Sequence, residues 1–249
     1  MLIIRLNEDV INLSYFEHIF NDDKIQNKII DDTQGGAMKN LVGMSEFKKT
    51  LFPLPPLPEQ EAIAEALSDA DAWIESLERL IAKKRLIKQG AMQELLTPRE
   101  DWEVKKLGDC LSYIQPTPYL VKSTEYNPNN DIPVLTAGKT FILGYTDENF
   151  GVFEKLPTII FDDFTTASKY VNFRFKAKSS AMKMLVLKDN SNNLKFLFEI
   201  MQVLRFQVGD HKRHWIGEFQ NLDIKIPSLS EQTRIATILS DMDAELEAL

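Results

Sequence analysis

The sequence is short of the residues that most chemistries require. Cys110 is its sole cysteine in 249 residues, which excludes an intramolecular disulfide and any multi-cysteine zinc site. Its 10 glycines form no Gly-rich cofactor loop. No apolar run approaches the ~18 residues of a membrane span. Glu8 and Asp9 follow the apolar start where a secretory signal would continue, so a soluble, cytoplasmic chain is expected. Positive charge is also scarce. Lys+Arg total 29 against 37 Asp+Glu, a net of −8, which excludes a uniformly basic nucleic-acid coat but not a local basic face. Nucleophile elbows and Asn/Asp-Pro-Pro-aromatic methyltransferase signatures are missing, and Gln115-Pro-Thr-Pro-Tyr119 is not one of the latter. What remains is ordinary for a folded protein: 44% hydrophobic, 27% charged and 10% aromatic.

An internal repeat organises the chain. Glu59-Gln60-Glu-Ala-Ile63-Ala64, continuing to Leu77, returns as Glu231-Gln232-Thr-Arg-Ile235-Ala236, continuing to Leu249. Eleven of the nineteen paired positions are identical at a constant offset of 172. The same offset pairs Glu46-Phe47 with Glu218-Phe219 and Pro55 with Pro227, while Asn12-Leu13 resembles Asn193-Leu194 in a slightly shifted register. Each copy closes a large module with a short strand, a Pro-rich turn and a helix. Residues 1–77 correspond to about 183–249, so the first module is expected to lack its front, and the second helix to stop in mid-pattern.

Residues 59–97 predict one long helix. Ile63, Leu67, Ala70, Ile74, Leu77 and Ile81 step by 4, 3, 4, 3, 4 along one face, the spacing of a coiled-coil seam. Seven acids between Glu59 and Glu78 precede Arg79, Lys83, Lys84, Arg85 and Lys88, a polarity that complements the helix dipole. Pro98 stops the helix. By contrast, 98–230 carries short β-rich runs at 132–136, 140–143, 158–161, 170–175, 184–187 and 222–226, with one helix at 194–204. The expected class is α+β, a mainly β domain with a helix, joined to long coiled-coil-like helices.

Charge is unevenly spread: −2 in 1–58, −3 in 59–97, +1 in 98–230 and −4 in 231–249. From Phe164 to Lys188 there are six cations (Lys169, Arg174, Lys176, Lys178, Lys183 and Lys188) and no acid, interleaved with Thr165, Thr166, Tyr170, Ser179 and Ser180. A second cluster is His211-Lys212-Arg213-His214-Trp215. Lys and Arg neutralise phosphates, and Arg, Thr and Ser also address base edges. A solvated lysine face is the competing reading. Other patterns are weaker. Ala137-Gly138-Lys139-Thr140 mimics the end of a phosphate loop, but Pro133 stands where its first glycine belongs. Asp223-Ile224-Lys225 is common alternation on a strand, and Asp162-Asp163 has no further ligand spaced to complete a metal shell. His211 and His214 flank two cations, a poor dication site. No catalytic site, metal or cofactor is expected.

The unit Ile224-Lys-Ile-Pro227-Ser-Leu-Ser-Glu231-Gln232-Thr-Arg-Ile235-Ala236, and its copy Phe52-Pro-Leu-Pro55-Pro-Leu-Pro-Glu59-Gln60-Glu-Ala-Ile63-Ala64, resemble the close of a target recognition domain in the DNA-specificity (S) subunit of type I restriction–modification systems. Leu77 through Thr97 resembles that family's central spacer helix, and Asp101-Trp102 through Asp109 its entry into the second recognition domain. Phe161-Asp162-Asp163-Phe164-Thr165 and His211-Lys212-Arg213 are similar to elements of one recognition-domain subgroup. The resemblance implies a remnant of a first recognition domain at 1–58, a spacer helix at 59–97, a second recognition domain at 98–230 and the start of a distal helix at 231–249. It implies a non-catalytic reader of one half of a bipartite double-stranded DNA target. Methyltransferase (modification) subunits would dock on the helices, and a restriction subunit would join through the complex. The DNA-contact candidates are Lys139, Thr165, Thr166, Lys169, Tyr170, Lys178, Ser179, Ser180, Lys183, His211, Lys212, Arg213 and His214. The alternative is a truncated adaptor that self-associates through its spacer helices.

Overall fold

The computed structural model describes residues 4–31, 47–138, 140–204 and 214–249. It divides into two units, Met1–Ala82 and Lys83–Leu249, and the division falls within one continuous helix.

The first unit contains α1 (Leu13–Phe20), α2 (Asp23–Asp31) and the start of α3 (Leu57–Leu95). Asn12 caps α1, its Oδ1 accepting the Tyr15 N–H at 3.0 Å. The proline-rich approach Pro55-Pro56-Leu57-Pro58 enters α3 without penalty, because first-turn amides have no intrahelical acceptor. Helix α3 then runs unbroken for 39 residues, ~58 Å at 1.5 Å per residue. Its bounds lie two residues earlier than the periodicity predicts at each end. Ile11, Tyr15 and Ala64 form a small buried cluster, with Phe16, Ile19 and Phe52 packed against it. The buried Gln60 fastens it: Nε2 donates to the Pro55 and Val10 carbonyls at 2.7 and 3.0 Å, and Oε1 accepts the Asn12 N–H at 2.9 Å.

The second unit is mixed α+β. A two-stranded antiparallel ribbon pairs β1 (Glu103–Lys106) with a late strand, β9 (Asp223–Ile226). After the one-turn α4 (Leu107–Cys110) comes β2 (Leu111–Ile114), the first strand of a four-stranded antiparallel sheet. Its order is β2, β8 (Met182–Leu187), β5 (Thr158–Asp162) and β6 (Ser168–Val171). A three-stranded sheet has β3 (Ile132–Leu135) between β4 (Ile142–Thr146) and β7 (Lys176–Ala177). Three helices complete the unit: α5 (Leu194–Val203), α6 (His214–Gly217) and α7 (Leu229–Glu247).

Both faces of the four-stranded sheet are covered, which is why β5 and β8 read as nearly unbroken apolar runs. Ile159, Phe161 and Leu185 pack on one face with Phe196, Leu197, Trp215, Ile235 and Leu239. The opposite face sends Ile160, Met182, Met184 and Val186 into a second core with Leu135, Phe153 and Phe175. The repeated glutamine recurs in the same role. Gln232 Oε1 accepts the N–H of Asn193, the N-cap of α5, at 2.9 Å, and its Nε2 donates to the Pro227 carbonyl at 2.9 Å.

Within this unit the end of α3 runs antiparallel to α7. Lys84 reaches Glu245 at 2.6 Å, Lys88 pairs with Asp243, and Arg99 beyond the helix reaches Glu231 at 3.2 Å. Ala91, Met92 and Leu95 of α3 pack against the core that Ile235, Ala236 and Leu239 of α7 help to form. Of the expected seam, Leu77 and Ile81 are half-buried, whereas Ile63, Leu67, Ala70 and Ile74 are exposed among the described residues. No described helix is long and apolar enough to cross a membrane.

Candidate nucleic-acid interface

The carboxyl end of β5 gathers most of the candidate contacts. The sequence Asp162-Asp163-Phe164-Thr165-Thr166 turns the chain from β5 into β6. Asp162 holds this turn from both chain directions: its N–H donates to the Ala167 carbonyl at 2.8 Å, and its carbonyl accepts the Thr166 N–H at 2.9 Å. Asp162 Oδ1 also accepts the N–H groups of Phe164 and Thr165 at 2.8 and 3.3 Å. This bracing keeps Thr166, a β-branched residue, at a φ of +59°, where only glycine is comfortable. Because β5 and β8 are antiparallel with Asp162 opposite Met182, the Lys178–Ala181 turn lies at the same end of the sheet.

Thr165, Lys169 and Ser180 are exposed there, and Thr166, Lys178 and Ser179 half-buried. The Thr165 hydroxyl already accepts the Ala167 N–H at 3.3 Å, and the Ser179 hydroxyl the Ala181 N–H at 3.1 Å. A cleft of about 390 Å³ opens between the β5–β6 hairpin and the β3–β4 turn, lined by Gly138, Phe141, Thr165 and Lys169. The Lys169 ammonium stands 5.2 Å from the Phe141 ring centre. Phe141 escaped the sequence reading, and its place directly after Lys139-Thr140 was the available signal. A cation, hydroxyls and an aromatic face around one cleft suit phosphate and base contacts. Among the described residues, no group of three His, Cys, Asp or Glu could hold a metal.

Three candidates stand elsewhere. Lys183 is 1% exposed, its ammonium 3.1 Å from Asp163 Oδ2 and 4.6 Å from the Tyr113 ring, so it is turned inward and cannot meet a ligand at the surface. His214 is fully buried beside Glu218 at 3.2 Å. Tyr170 points to the face of β6 opposite Lys169 and packs on Phe198; burial, eased by Lys195, pushes its phenol pKa up. The charge of the window also shrinks. Lys176 is buried on Glu148 at 3.0 Å, so of the six cations Lys169, Arg174, Lys178 and Lys188 keep access to solvent. Lys139, His211, Lys212 and Arg213 lie outside the described residues.

The family model for the type I restriction modification DNA specificity domain matches residues 2–84 and again 99–248. The chain belongs to that family. The double match reproduces the internal repeat. The chain is similar to the type I restriction enzyme EcoR124I/EcoR124II specificity subunit of Escherichia coli, 50% identical over 150 residues that cover 55% of this chain and 37% of that subunit. It is also similar to the MjaVIII specificity subunit of Methanocaldococcus jannaschii, 25% identical over 276 residues, covering 92% of this chain and 64% of that one. The chain thus spans less than two thirds of these relatives' length. The type I S subunit of M. genitalium has the same fold, with a TM-score of 0.72 at 17% identity, covering 98% of this chain and 69% of that one. Restriction-system specificity subunits therefore supply both the fold and the family.

Proposed function

We propose that this chain reads one half of a bipartite target in double-stranded DNA through the end of its four-stranded sheet, and that its long helices scaffold methyltransferase subunits that carry out the chemistry. The observation that carries the reading is the convergence of Thr165, Thr166, Lys169, Lys178 and Ser180 on one sheet end, beside a cleft, in a chain of a DNA-specificity family. The overall charge of −8 is no obstacle. The acid is concentrated outside 98–230, on segments that need not touch phosphate. The proposed division of labour follows: 98–230 recognises, 59–97 and 231–249 bind partners, and 1–58 belongs to another recognition domain. A helix-mediated adaptor role draws support from Trp73, Ile74 and Leu86, which are 69%, 53% and 68% exposed on α3.

Selection of bound duplexes from a library with a randomised core, using the full chain with its methyltransferase subunits, tests the reading. A defined half-site motif is expected. Lys169→Ala should weaken binding to all sequences alike and lower the salt slope by about 1, the signature of one lost phosphate contact. Lys212→Ala and Arg213→Ala should each cost about 1–3 kcal/mol where they meet a base. No enriched motif, with affinity and salt slope unchanged in all three variants, would leave the adaptor role standing.

A further inference from the structure

Two sequence elements 52 residues apart meet at one buried carboxylate. Asp163, at the end of β5, is fully buried. Its backbone carbonyl accepts the His214 N–H at 2.9 Å, and its Oδ1 accepts the Trp215 N–H at 2.9 Å. Oδ2 faces the Lys183 ammonium at 3.1 Å, itself 1% exposed and set over Tyr113. Trp215 is locked in place, its ring 5.2 Å from Phe161 and 6.0 Å from Phe219. Asp163 therefore fixes the backbone directly after Lys212-Arg213, and it is itself the second residue of the turn that presents Thr165 and Thr166.

A buried ion pair is a costly way to hold two strands together, because each charge must be stripped of water. Apolar side chains opposite one another on β5 and β8 would hold the sheet as well, as Ile159 and Leu185 do. What such residues cannot supply is a side-chain acceptor for the Trp215 amide, next to the His214 amide that the residue-163 carbonyl already holds. The Lys183 ammonium, 3.1 Å from the other carboxylate oxygen, offsets the cost of burying Asp163 in that role.

We propose that Asp163 and Lys183 are positioning residues that hold the β5–β6 turn and the start of α6 in one fixed frame, so that Thr165 and Thr166 are presented to DNA in a set geometry. This rests on the DNA-reading function above. It also changes the meaning of Lys183, which sets the geometry of recognition without touching the target. A supporting shell of this kind determines how accurately the contacting groups are presented.

The test compares the full chain with the double variant Asp163→Ala/Lys183→Met, which removes acceptor and cation together and strands neither charge. Without DNA, hydrogen exchange should show the Trp215 amide losing protection by about tenfold or more, while Ile160 and Leu185 in the sheet stay protected. With the randomised duplex library, the enriched motif should lose information by about one base pair's worth of discrimination, roughly tenfold, while the salt slope stays unchanged. Unchanged exchange at Trp215 would overturn the anchoring, whatever the chain binds. Exchange lost but the motif intact would overturn the positioning role alone. A wild-type chain that selects no motif would instead overturn the DNA reading beneath it. Should the double variant fail to fold, Asp163→Asn keeps an acceptor but removes the charge. It should then lose protection at Trp215 while Ile160 and Leu185 stay protected, and an unaltered Trp215 amide overturns the proposal.

Discussion

The two copies of the repeated motif behave alike at the level of hydrogen bonds and differently at the level of the core. Gln60 and Gln232 both accept the N–H of an N-cap asparagine at 2.9 Å and both donate to the proline carbonyl five residues earlier. Asn12 and Asn193 cap equivalent helices, α1 and α5. Around these fasteners the surroundings diverge. Leu197, Met201, Phe219 and Ile224 are buried against the four-stranded sheet and its helices. Their counterparts Phe16, Phe20, Phe47 and Phe52 line an open apolar groove of about 220 Å³. Residues 51–54, aligned with β9, form no strand, and no described strand pairs with them; Leu54 is 48% exposed where Ile226 is 2%. The glutamine latch is thus a local device, formed wherever its own segment folds. A strand exists only where a partner strand completes its ladder.

Truncating one ring on each side probes this contrast most strongly. Phe161→Ala removes a fully buried side chain and should cost the second unit about 3–5 kcal/mol, the usual toll for a large cavity. Phe16→Ala removes a half-buried ring facing the groove and should cost the first unit roughly 1 kcal/mol. Hydrogen exchange read separately over α1 and β5 measures both, and equal losses would break the distinction. A finer version compares the latches. Gln232→Ala strands the Asn193 N–H and the Pro227 carbonyl within a dense core, at about 1–3 kcal/mol for each unsatisfied group. Gln60→Ala strands the equivalent groups beside the much smaller cluster of the first unit, and should cost no more than about half as much.

The long helix and the apolar strands β3, β5 and β8 were legible because their patterns are carried by many residues each. The ribbon strand β1 was not: Glu103-Val-Lys-Lys106 is short, charged and largely exposed, and it is a strand only through pairing with β9. The alternation in 170–175 predicted a strand there, yet β6 is Ser168–Val171, because its register is dictated by β5. Beyond it, Phe175 meets Phe153 in an isolated bridge. The candidate site was half legible. Composition marked the Thr165–Lys169 hairpin, where exposure follows from the turn itself. It could not show that Lys183 and Lys176 turn inward, since their carboxylate partners Asp163 and Glu148 lie 20 and 28 residues earlier and are brought to them by the sheets.

The smallest expected difference between the units is in their response to acid. In the second unit, Asp243 on α7 pairs with Lys88 on α3 and with Lys195 on α5, the latter at 3.0 Å. Burial alone would raise its pKa, but the hydrogen bonds from Lys88 and Lys195 outweigh burial and hold it below the ordinary aspartate value. Glu148 is likewise held low: burial works against it, and the Ser123 N–H, Lys176 and the Lys122 N–H prevail. A carboxylate with a depressed folded pKa contributes stability that is complete above its unfolded value near 4 and is lost as pH falls through the folded one. The second unit should therefore lose stability below about pH 4, in the window between those two values. Asp243→Asn should flatten the second unit's acid limb at little cost in the first. Partial exposure of the α3–α7 cluster keeps this effect to the scale of a single screened ion pair, well under the loss from Phe161→Ala.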